Sequence, residues 1–317
     1  MNIQSVIDYL NKEKGCSLTA DYFHHIQVWE DWWKGYHEPF HRYRERGYDG
    51  AIVDRKLYTL KMAKKVCEDW ASILLNEKTE IVIGDEASSV YIHGVHATPG
   101  EFQRGITNEV DGVFDDNLFW SRANALIEKA FYSGTGAFVL RFNHMNMRGN
   151  RIVQSAQAKV RIIYLSSPQI IPLTIKDGRI QDVAFVSDAL ERGKKYVYIE
   201  THELQNGGYL ITNRYFRETE VGLSPEPLPD GMIESYLTGS DIPLFAVISP
   251  NIVNNIDENI GLGISVFANA LDNLEGCDLA YNNFNRDFKL GGKKVFLNEQ
   301  LTKQDKYGNV ITPDDVA

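Results

Sequence analysis

Gly261-Leu-Gly263 stands between a strand-like run and a helix-like run, the setting in which a glycine turn cradles a dinucleotide pyrophosphate. Val266 occupies the place of the third glycine, so the stretch reads as a polar break at a helix start. Gly134-Thr-Gly136 and Leu290-Gly-Gly-Lys-Lys294 invite the same question. Neither has the spacing that would bring a lysine to a phosphate and a hydroxyl to magnesium, and both read as turns. A nucleotide-binding enzyme using these glycines is therefore an alternative with thin support.

The histidines give no ligand set. His93 and His96 sit close together, and His37 and His41 have a nominal one-turn spacing, but Pro39 interrupts the helix the second pair would need. Neither pair has carboxylates or cysteines at metal-ligand spacing, so all four read as surface-loop residues. His24 and His25, within an aromatic helix, read as partly buried packing residues. There is no G-x-S-x-G elbow, no H-E-x-x-H and no cysteine beside a plausible histidine partner. With 43 acidic residues, chance carboxylate pairs carry little meaning. No catalytic, cofactor-binding or metal-binding residue is assigned, and no cofactor is expected.

Composition narrows the class. A chain of 317 residues, 43% of them hydrophobic, can bury a sizeable core, and its net charge of −10 argues against sequence-independent wrapping of nucleic acid. The start, MNIQSVIDYLNKEKG, lacks the marks of a signal peptide, and no run of about 18 apolar residues occurs. A soluble, non-secreted protein in a reducing compartment is expected. Cys16, Cys67 and Cys277 fit that setting, with Cys67 and Cys277 on apolar helix faces.

The positioning elements follow from periodicity. Residues 19–36 predict a helix with Thr19 as N-cap, a stop near Gly35, and Tyr22, Phe23, Ile26, Trp29 and Trp33 at helical spacing. After a loop, a second helix is predicted from Asp54 to Leu75, with Leu57, Leu60, Ala63, Cys67, Trp70 and Leu74 on one face. Residues 80–93 predict two short strands around a turn, and residues 117–133 a helix ending at Gly134. AFVLRF, AKVRIIYL, QIIPLTI, IQDVAFV, KKYVYIETHEL and YLITNRYFR predict a strand meander turning at KDGR, ERGK and QNGG. SPEPLPDG reads as an exposed excursion and PLFAVISPN as a buried strand stopping at Pro250. The class is α+β.

Residues 263–288 predict one long helix capped by Ser265. Phe267, Ala270, Leu274, Cys277, Tyr281, Phe284 and Phe288 recur at spacings of three and four. Leu271 and Leu279 widen this surface, so the helix needs neighbours on two sides. Asn269, Asp272, Gly276, Asn283 and Asp287 form an opposite strip without lysine. KLGGKKVFL predicts a basic hairpin after it.

Three blocks in this order resemble the portal proteins of tailed phages of the siphovirus and prophage type: WEDWWKGYHEPFHRY, LYTLKMAKKVCEDWASILLNEKTEI, and GLGISVFANALDNLEGCDLAYNNFNRDFKLGGKKVFL. KAFYSGTGAFVLRF fits the same family. The resemblance implies a non-enzymatic homo-oligomer, a ring of about twelve subunits at one capsid vertex. Double-stranded DNA would pass through it without sequence specificity, and the terminase large subunit, scaffold and head-completion or adaptor proteins would dock on it, with no membrane involved. It implies a portal-like fold: a wing domain over residues 1–255, a stem helix with its lead-in over 256–289, and the start of a clip over 290–317. Localisation would be the virion, and the host cytoplasm during assembly. Asn269, Asp272, Asn283 and Asp287 would face the channel; Phe267, Leu274, Cys277, Tyr281, Phe284 and Phe288 would pack between subunits. The family continues into a returning helix, channel loop and crown, so a C-terminally shortened form is expected. A head-assembly scaffold or adaptor-binding module without a channel is the main alternative.

Overall fold

The computed structural model describes residues 2–46, 50–76, 78–96, 109–149, 151–153, 158–229, 231–291 and 307. The expected clip and its basic hairpin lie almost wholly outside the described residues. The fold is α+β: helices and mainly antiparallel sheets in separate runs.

Helix α1 (Ile3–Lys14) begins at Asn2, whose side chain accepts a hydrogen bond from Gln4 N–H, and ends at Gly15. Helix α2 (Asp21–Lys34) stops at Gly35 as expected, but its N-cap is Ala20, without a side-chain bond, instead of Thr19. It buries Tyr22, Ile26, Trp29 and Trp32, while Phe23 and Trp33 are half-buried; His24 and His25 are exposed instead of partly buried, His25 with its ring against Tyr22 and Trp29.

After the single turn α3 (Glu38–His41), strands β1 (Arg42–Arg46) and β2 (Ile52–Lys56) form a separate antiparallel ribbon. The expected helix from Asp54 is thus too long: Asp54 sits in β2 and accepts from Arg42 and Arg44, and cross-strand pairing overrides local helix propensity. Helix α4 (Met62–Leu74) starts only after Lys61, whose φ is 54°. It buries Ala63 and Cys67 and leaves Trp70 and Leu74 exposed, as is Leu60 ahead of it. Residues 86–93 form helix α5 (Glu86–His93) where strands were expected; Asp85 caps it by accepting from Ser88 N–H, a local bond that outweighs the β-like pattern.

A short turn α6 (Val113–Asp116) leads into α7 (Phe119–Ser133), which ends at Gly134 as expected. Three strands, β3 (Gly136–Asn143), β6 (Lys159–Ser166) and β13 (Phe245–Ile248), make one sheet in the order β13-β3-β6. The larger sheet contains β4 (Asn146–Arg148), β5 (Arg151–Val153), β7 (Ile170–Lys176), β8 (Arg179–Glu191), β9 (Lys194–Gln205), β10 (Gly208–Thr219), β11 (Gly222–Glu226) and β12 (Ser235–Leu237). Its heart is the expected meander β7-β8-β9-β10. Asp177-Gly178 and Arg192-Gly193 have positive φ at both residues, the twist that two-residue hairpins favour. The SPEPLPDG stretch is less of an excursion than expected: Ser224 and Pro225 belong to β11, paired to β10, where an edge strand tolerates proline.

Strand β8 shows how the core is divided. Val183 and Phe185 point into a cluster with Tyr22, Ile26, Trp29, Tyr132 and Leu165; Ala184 and Val186 point to the other face, against Val6 and Leu10 of α1. The sheet is therefore buried on both faces, and its strand reads as an unbroken apolar run.

Candidate interaction surface

The predicted long helix is shorter than its sequence pattern. Residues 260–267 run non-helically through the core, where Leu262, Ile264 and Phe267 are buried among α2, α7 and the sheets. A 3-10 turn (Ala268–Ala270) follows, and helix α8 spans Leu271–Leu290. Ser265 is no N-cap: it is buried, donating to Phe131 O and accepting from Phe267 N–H. That backbone is held by Tyr22 Oη, which donates to Gly263 O at 2.6 Å, and by Thr135 Oγ1, which accepts from Gly263 N–H at 2.9 Å.

The glycine turns explain themselves here. Gly134, at φ 84°, and Gly263 press backbone to backbone; a Cβ on Gly134 would lie 2.1 Å from Gly263 O, and one on Gly263 2.4 Å from Gly134 O. Each glycine serves the other's close approach, and the Gly263 N–H is already committed, so neither turn is an open phosphate cradle. The Leu290–Lys294 stretch falls mostly outside the described residues.

Advancing about 100° per residue divides α8 into three sectors roughly a third of a turn apart. The first, Leu271, Leu274, Asp278, Tyr281, Asn282 and Asn285, is buried or half-buried on the chain itself. Leu274 packs against the main core. Asp278, 4% exposed, accepts from Leu60 N–H at 2.8 Å through one oxygen and meets His41 Nε2 at 3.1 Å with the other. His41 is fully buried, not a surface-loop residue, and its Nδ1 faces the His37 backbone. Asn282 pairs with both backbone groups of Tyr58, accepting at 2.8 Å and donating at 2.7 Å, as a neighbouring strand would. Lys289 donates to Tyr58 Oη, and that bond, with the ammonium charge behind it, holds the phenol below its usual pKa.

The second sector is polar and exposed: Asp272, Gly276, Asn283 and Asp287. Asn269 precedes the helix, in the 3-10 turn, and its Oδ1 accepts from Asn255 Nδ2 at 3.0 Å. The third sector is apolar and exposed. Phe284 and Phe288 are 59% and 70% exposed with ring centroids 4.7 Å apart, Cys277 is exposed beside them, and Tyr281 is half-buried at the border. Of the residues expected to pack between subunits, Phe267 and Leu274 thus lie against the chain's own core; Cys277, Phe284 and Phe288 face outward. Cys277 on an apolar face is not buried, whereas Cys67 is, and burial pushes its thiol up to about 12.

Sequence reasoning missed Asp278 and Asn282. Their signal was an acid and an amide one turn apart on the same side as Leu271, Leu274 and Tyr281, a polar pair inside an apolar stripe.

Two further features are not on α8. An apolar cleft of about 620 Å³ lies between α4, α7 and the segment after β13, with Trp70, Leu74 and Ile252 at its partly exposed walls. Within the large sheet Glu200, 2% exposed, accepts from Arg141 Nε and Tyr198 Oη and meets His202 Nε2 at 2.7 Å. Burial alone would raise its pKa; the His202 bond, the Arg141 charge and the Tyr198 bond together outweigh it and hold the carboxyl below its usual value.

His96 Nε2 meets Asp115 at 3.0 Å, and among the described residues no group of three or more His, Cys, Asp or Glu is placed to hold a metal. Nor, among them, is any helix long and apolar enough to cross a membrane. No protein-family model matches the chain, and no curated protein is significantly similar to it.

Proposed function

We propose that this chain is a structural, ring-forming subunit of the tailed-phage portal type. In that reading it sits at one capsid vertex of the virion, with double-stranded DNA passing through the ring and terminase and head-completion proteins docking on it. The observation that carries the reading is the three-sided character of α8. One side is fixed to its own chain, and a second is an exposed aromatic edge. The third is a strip of Asp272, Asn283 and Asp287 without lysine, with Arg286 at its border.

A helix lining a ring needs those three sides: an anchor, a contact for the adjacent subunit, and a channel face that repels phosphate and lets it slide. Clustered exposed aromatics mark surfaces that associate. The wing would be the body up to residue 255, and α8 the stem.

Imaging and light scattering of the purified chain test this. Annular oligomers with a central hole are expected, lost in Phe284→Asp/Phe288→Asp and kept in Asn283→Asp. A strictly monomeric protein at high concentration, or rings indifferent to the phenylalanine changes, would sink the proposal. The apolar cleft at Trp70 and Leu74 favours a second reading, a scaffold- or adaptor-binding module, which predicts peptide capture by a monomer with no hole.

A further inference from the structure

The ribbon β1–β2 is unlike the rest of the surface. Its ten strand residues carry Arg42, Arg44, Arg46, Arg55 and Lys56 against Glu45 and Asp54, a net +3, in a chain whose net charge is −10. Everything outside the ribbon therefore carries −13. The register also sorts the charge by face. Arg42, Arg44 and Arg46 lie with Lys56, Asp54 and Ile52 on one side; on the other, Arg55 and Glu45 pair with each other beside Tyr43 and Val53. The whole excess sits on one face.

This ribbon has no core of its own: all its residues are exposed except Glu45, which is half-buried. An isolated two-stranded ribbon is marginal in water, so a partner surface is the natural completion. A polynucleotide fits less well than a protein. Arg42 and Arg44 already share Asp54, the acidic body would repel phosphates, and the exposed Ile52 on the same face offers apolar contact that a phosphate backbone leaves unused.

An acidic counter-surface exists on the same molecule. Asp21 opens α2, and Asp257 and Glu258 lie on the loop that Asn254 pins to Tyr22 Oη at 3.0 Å. All three are exposed, and none has an ion-pair partner among the described residues. They stand at the N-terminal end of α2, while the ribbon follows its C-terminal end. The 14 residues of α2 between them span about 21 Å. Opposite charges toward opposite ends of α2 suit a head-to-tail contact, the type that closes into rings.

We propose that the basic face of the β1–β2 ribbon docks on the Asp21, Asp257 and Glu258 patch of a second copy, a contact that rests on the ring-subunit reading. Its work is steering and register, so it weakens with salt.

Sedimentation of the full chain at low and high salt tests it, using Arg44→Glu/Arg46→Glu, Asp257→Arg/Glu258→Arg, and the two combined. Each reversed pair is expected to weaken self-association by about 10-fold or more at low salt, and the combination to recover most of the loss. Recovery excludes misfolding as the cause. Reversal variants that associate like the wild type overturn this contact while leaving the ring reading intact. Weakening without recovery overturns the acid patch as partner. Binding of a duplex oligonucleotide that is lost only in Arg44→Glu/Arg46→Glu reassigns the face to nucleic acid. A wild type monomeric at every salt removes both the contact and the ring.

Discussion

Asp278→Ala removes the one carboxylate that ties α8 to the ribbon root. It strips acceptors from Leu60 N–H and from His41 Nε2. The histidine is fully buried, so its orphaned nitrogen costs about 1–3 kcal/mol; the partly buried Leu60 N–H, which water can reach, costs about 1 kcal/mol. The sum, about 2–4 kcal/mol, is large against a typical total stability of about 5–15 kcal/mol. Asp278→Asn behaves differently. Its amide oxygen can still take Leu60 N–H, and its NH2 can donate to Nε2 if the imidazole proton moves to Nδ1, which lies 3.0 Å from His37 O. That switch sacrifices the His37 N–H bond to Nδ1, so about 1 kcal/mol is lost. Because a chain of this size need not unfold in one step, the assay is hydrogen exchange at the amides of Tyr58 and Leu60. Exchange there is expected to quicken by about 30-fold or more in Ala and by about fivefold in Asn, at about 1.4 kcal/mol per tenfold. Equal rates in Ala and wild type, or Asn behaving like Ala, would refute the latch.

Two more predictions concern the body. Gly134→Ala forces a Cβ to 2.1 Å from Gly263 O at φ 84° and should cost about 3 kcal/mol or more by urea denaturation. Gly84→Ala, with open space around it, should be close to neutral, and similar midpoints for the two would contradict the packing. For Glu200, the folded carboxyl titrates below its usual value of 4.5. Its stabilisation is fully present above that value and is lost as pH falls through the lower folded one. Glu200→Gln should therefore flatten the acid limb of stability against pH by up to about 1.4 kcal/mol per unit. An acid limb of unchanged slope would show that Glu200 is not the group responsible.

What the sequence determined by itself is local. The hairpin meander was legible because KDGR, ERGK and QNGG fix turns over four residues and the strands alternate on a period of two. Helix α7 and its stop at Gly134 followed from periodicity and an αL glycine in the same way. The outward aromatic residues of α8 were visible as a stripe, since spacing alone puts Cys277, Phe284 and Phe288 on one side.

Tertiary structure decided what each stripe meets. Nothing near His41 announces that it will be buried against Asp278, a partner 237 residues away. The apolar spacing of residues 263–270 continues that of the helix, yet Gly134 and Tyr22 hold that backbone straight through the core, delaying the helix to Leu271. Asp54 left a predicted helix because a strand ten residues upstream supplied two arginines. Periodicity specifies which side chains share a face; which face is buried depends on long-range contacts whose free energy no local window contains.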